Sequence, residues 1–97
     1  MNRLVGNVII VDSAMGNTSV LNSANNLLNI RKYSVNSVAF TRVGATIGGM
    51  SLSVADTTNV VVVVDSNNAL VHFSQPQVFD DLKVPTLVGG TGFIYLA

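Results

Sequence analysis

The chain has no cysteine and no tryptophan, only two prolines and a single histidine, and charged side chains make up just 10% of its 97 residues. Without cysteine there is no disulfide staple and no thiolate chemistry, so a small domain must draw its stability from packing or association. The polar remainder is mostly Asn, Ser and Thr rather than clustered His, Glu, Cys or Lys. From that stock no acid, base and nucleophile set can be assembled and no cofactor is called for, so the chain reads as a non-enzyme. Five basic and five acidic residues cancel, and this charge content lies far below the roughly 25% of an ordinary soluble domain. No basic field steers the chain to nucleic acid or to an anionic membrane. The longest aliphatic run, residues 60–64, is far shorter than the roughly 20 residues of a bilayer-spanning helix. Gly6 and Asn7 interrupt the apolar stretch after Arg3, and Asp12 closes it, so this stretch is not read as a cleaved leader.

What the chain does have is β-branched residues: seventeen Val, five Ile and seven Thr. Lys, Glu and Gln, which favour helices, are scarce, and the backbone preference is for strands. At 10.2 kDa the chain is one domain, residues 1–97, with about 5,300 Å² of surface folded against about 14,800 Å² unfolded. One thin core is possible. A neutral, amide-rich surface lacks the self-repulsion that keeps monomers apart, so a homo-oligomer or an assembly component is expected.

A first strand is expected over residues 3–12. Residues 13–29 carry Asn17, Asn22, Asn25, Asn26 and Asn29 among small residues, and such side chains compete with regular backbone pairing. This Asn-rich segment reads as a loop or arm, with a short strand at 19–21 or a helical turn near Leu27 as local alternatives. A loop of that length usually has a role, so its asparagines are candidate partner contacts. From Ile30 the strand pattern resumes and changes phase at Asn36-Ser37, the mark of a bulge or of a strand that switches sheets. Met50, Leu52 and Val54 alternate with Ser51 and Ser53, as in a half-buried strand. Five successive valines, Val60 to Val64, show no alternation and are expected to be covered on both faces or shielded by a subunit. Asp65-Ser66-Asn67-Asn68 and Gly89-Gly90-Thr91-Gly92 read as hairpin turns. Pro76 and Pro85 place their segments in loops or at sheet edges. About eight short strands give an all-β fold: a small two-sheet antiparallel sandwich, jelly-roll-like or Greek key.

Several residues invite chemical readings. Gly89-Gly90-Thr91-Gly92 has the glycines of a phosphate loop, but a strand rather than a helix follows it. Asp80-Asp81 has no third carboxylate nearby for a cation. His72 sits between Val71 and Phe73 with no partner for acid–base work, and is read as structural. Asn17-Thr18-Ser19 matches a glycosylation sequon. Arg31-Lys32-Tyr33 is the one local basic patch. It reads first as a solvated strand face, and these three residues join Asn17, Asn22, Asn25 and Asn26 as candidate partner contacts.

From Val38 onward the motifs S-L-S-V-A-D, then V-H-F-S-Q-P-Q-V-F-D-D-L-K-V and finally L-V-G-G-T-G-F-I-Y-L resemble a group of small all-β virion proteins of tailed bacteriophages. Phe73, Pro76 and Phe79 match the segment that leads to the penultimate strand, and Gly89, Gly90 and Gly92 match the closing hairpin. The resemblance implies a non-enzymatic structural protein of the virion, foremost a capsid decoration or cement protein that binds the outer shell and strengthens it. Its partner would be the major capsid protein or another virion protein. The alternative is a small tail or fibre component acting as a receptor- or glycan-binding module.

Overall fold

Residues 2–12, 32–43, 48–54, 60–80 and 82–97 are described by a computed structural model. Their β-branched content is realised as eight strands and no helix: β1 (Arg3–Val5), β2 (Val8–Val11), β3 (Lys32–Arg42), β4 (Gly49–Val54), β5 (Val60–Asp65), β6 (Leu70–Asp80), β7 (Leu82–Val88) and β8 (Gly90–Leu96). They form two antiparallel sheets, ordered β1-β2-β8-β3-β6 and β5-β4-β7. The all-β, two-sheet reading is therefore correct. The Asn-rich segment 13–29, with the alternatives at 19–21 and Leu27, lies outside the described residues.

Alternation builds the core. Ile9 and Val11 of β2, Val35, Val38 and Phe40 of β3, and Ile94 of β8 meet Met50 and Leu52 of β4, Val62 and Val64 of β5, and Leu82 and Val84 of β7. Burying each such side chain contributes about 1.5–3 kcal/mol. The accessible surface of 5263 Å² agrees with the roughly 5,300 Å² expected of a folded chain of this mass.

Three expectations need correction. Residues 3–12 are a hairpin rather than one strand, because Gly6 adopts φ 60° and, with Asn7, turns β1 back on β2 at two residues. Neither of the two later turns makes a hairpin within a sheet. Residues 65–68 carry the chain from β5 in the small sheet to β6 in the large one, and Gly89 (φ 70°) carries it from β7 back to β8. Residues 65–68 do reverse the chain, with Asp65 Oδ1 accepting the Asn67 and Asn68 amides at 2.9 and 2.8 Å, but the reversal bridges layers. The third correction concerns cover of the valine run within the chain, since Val62 and Val64 are buried while Val60, Val61 and Val63 are 48%, 41% and 55% exposed; of the two expectations, only shielding by a subunit is left. β5 is an edge strand with one face toward the core, so alternation operates over residues 61–64 beneath a sequence that does not display it, and the bulge at Val61 leaves Val60 exposed as well.

The phase change at Asn36-Ser37 is a bulge, since β3 shifts register between Val35 and Ser37 against both β6 and β8. Opposite Asn36, β6 inserts Phe73, Ser74, Gln75 and Pro76 between its pairing residues His72 and Gln77. Phe73, within this insertion, and Phe79, beyond it, have ring centroids 6.1 Å apart and pack on the core. Both prolines do lie on edge strands, β6 and β7.

Candidate docking surface

β4 is the centre of the small sheet, and its outward residues are small: Gly49 and Ser51. Register places Gly49 between Asp65 and Val88, and Ser51 between Val63 and Thr86. Small residues on the middle strand and larger ones on its neighbours make a trough along the outer face of the sheet, about 260 Å³ in volume. Val63 stands on one wall and Thr86 and Val88 on the other. Val88 is 53% exposed, and Val61 continues the β5 ridge. Asp65 is the one ionisable side chain lining the trough, and its carboxylate is turned back onto its own turn. The surface is thus apolar and nearly free of formal charge.

The trough ends toward Ser53 and Lys83, register partners that are both buried. The Ser53 hydroxyl oxygen is buried with no hydrogen-bond partner among the described residues. Bulges at this end, in β5 between its pairing residues Val60 and Val62 and in β7 between Lys83 and Thr86, disturb the ladder on both sides of β4.

One side of the β5 backbone beside the trough also meets no described strand. Ser66 N–H donates to Gly48 O at 3.2 Å, and Asp65 N–H donates to Asn68 O at 3.1 Å. In an antiparallel pair, residues face their partner strand alternately. Val64 and Val62 therefore turn their amides and carbonyls toward β4, and Val63 turns its own away. No described strand pairs with that side of β5.

Of the residues singled out in the sequence, Asn17, Asn22, Asn25, Asn26 and Arg31 lie outside the described residues. Lys32 and Tyr33 open β3, where they pair in register with Asp80 and Phe79. His72 is exposed on β6 and pairs with Ser37. Among the described residues no three His, Cys, Asp or Glu side chains gather as metal ligands. The apolar surface made by Val61, Val63, Gly49, Ser51, Thr86 and Val88 was missed by sequence reasoning. The available signal was the small-residue alternation Gly49, Ser51 beside a valine run that needed cover. No family model, curated protein or solved structure matches the chain.

Proposed function

We propose that this chain is a non-enzymatic structural protein of a tailed-phage virion, a decoration protein that attaches to the outer face of the capsid shell and strengthens it. The observation that carries the reading is the nearly uncharged, valine-walled trough beside the unpaired edge of β5. A surface of this kind suits shape-matched packing against another protein rather than recognition of an ionic ligand. The motif resemblance supports it from a second direction. Phe73 lies in the β6 insertion with Phe79 beyond it, Gly89 forms the corner out of β7, and Gly90 and Gly92 lie within β8 against the neighbouring strand and sheet, so the residues behind the resemblance build the fold and leave the outer faces to carry specificity.

A cement protein that clamps neighbouring shell subunits stabilises the assembled state by mass action. Particles stripped of the protein are expected to melt at a lower temperature than intact ones, and adding it back is expected to restore the difference. Identical melting would sink the cement role and favour the receptor- or glycan-binding module of a tail or fibre. Failure of the protein to co-purify with particles would remove the virion reading altogether.

A further inference from the structure

The two sheets present four edges: β1 and β6 on the large sheet, β5 and β7 on the small one. An exposed edge is a template for another strand, and proteins block edges with short strands, prolines, bulges or charges. β1 is only three residues long. Across from Asn36, β6 is broken by the insertion that contains Pro76. On β7, Pro85 lies within the bulge between Lys83 and Thr86. β5 is six residues long, five of them valine, without proline or lysine, and its bulge at Val61 and its one charge, Asp65, leave residues 62–64 between them unguarded.

We infer that two copies of this chain associate through β5, edge to edge and antiparallel about a two-fold axis beside Val63, which joins their three-stranded sheets into one of six strands. Three features of the strand fit a second copy of itself. The Val63 amide and carbonyl already point to the free edge, so the two copies can exchange hydrogen bonds there without rearrangement. With the axis beside Val63, Val63 meets its own copy, Val62 meets Val64 and Val61 meets Asp65, so no like charges face each other across the pair. Residues 60–64 carry no charge, and the Asp65 carboxylate is held by its own turn. Finally, Val63 is 55% exposed on the outer face, where its counterpart in the second copy would stand directly opposite, about 5 Å away.

A six-residue edge is about 20 Å long, so the contact falls below the roughly 800 Å² per partner of a standard interface. The dimer is therefore reversible, in exchange with monomer. It needs only the chain itself and does not rest on the virion reading.

Sedimentation equilibrium of the full chain from about micromolar to about millimolar concentration provides the test. The mass is expected to rise toward twice that of the monomer. Val63→Lys, on an exposed position, should fold normally and weaken association by about tenfold or more. Val88→Lys, on the same sheet face but away from the β5 edge, should leave the profile unchanged. Hydrogen exchange at the Val63 amide of the unaltered protein should slow as concentration rises, a readout independent of whether either variant folds. A chain that stays monomeric throughout, an assembly of three, equal loss of association in Val88→Lys, or concentration-independent exchange at Val63 would each overturn the inference.

Discussion

Val62 and Val63 are neighbours of one kind with opposite surroundings. The first is 6% exposed and packs in the core, and the second is 55% exposed on the outer face. An aspartate at 62 would place an unpaired carboxylate in the core beside its register partner Leu52, at a cost comparable to the roughly 5–15 kcal/mol total stability of a domain. Val62→Asp is expected to abolish soluble expression, while Val63→Asp yields a soluble protein with a cooperative melt. Soluble, cooperatively folding Val62→Asp protein would show that β5 is turned the other way. The sequence conceals this difference because five identical apolar residues carry no period-two signal, and only the β4 register reveals which valines face inward. Ser53 is a second residue whose surroundings were hidden, since its alternation with Leu52 suggested an exposed position and the structure buries it. Its hydroxyl has no hydrogen-bond partner among the described residues, so Ser53→Ala should leave stability unchanged or raise it by about 1 kcal/mol in urea denaturation. A loss of that size would mean that the oxygen is bonded in solution.

At the scale of elements, the last turn and β8 show how glycine placement fixes the two layers against each other. Gly89, at φ 70°, makes the corner out of β7. Gly92 lies between Val11 and Phe40 in the large sheet, and Met50 of the small sheet occupies the space its side chain would fill. Gly90 sits against the Thr41 carbonyl oxygen and the Phe40 ring. A methyl group at 92 meets the flexible end of Met50, whereas one at 90 meets backbone. Gly90→Ala should therefore destabilise more than Gly92→Ala, with overpacking of this sort costing about 1–3 kcal/mol. Thermal melts of the two variants decide it, and the reverse order would show that Met50 cannot move aside. The glycine cluster itself was legible in the sequence, and so were the strands after β2, the prolines at edges and the bulge at Asn36, whereas the β1–β2 hairpin reads there as one strand. The destination of each turn was not. Local residues make the chain reverse, but which sheet the next strand joins depends on partners as distant as Val11 and Gly92.

Across the whole molecule, zero net charge and a nearly uncharged outer face determine how attachment should respond to salt. The apolar surface itself could not be read from the sequence, because it arises only when β5, β4 and β7 come into register and set Val63, Ser51 and Thr86 in one row. The candidate contacts chosen from composition were instead Asn17, Asn22, Asn25 and Asn26, polar residues of the Asn-rich segment 13–29. The two choices lead to the same expectation for salt, since neither supplies ion pairs, while the basic patch of Arg31 and Lys32 leads to the opposite one. Attraction between exposed charges is screened beyond about 8 Å at physiological ionic strength, whereas apolar burial does not weaken as sodium chloride is added. Binding to shells should therefore persist from low salt to about molar sodium chloride. Washing decorated particles across that range and measuring the protein retained gives the answer. Release at moderate salt would assign attachment to Arg31 and Lys32, and the valine face would then have to be explained by self-association alone. Retention through the series, combined with loss on Val88→Lys, would locate the shell contact on the trough, because that substitution changes a wall of the trough and leaves the edge of β5 intact.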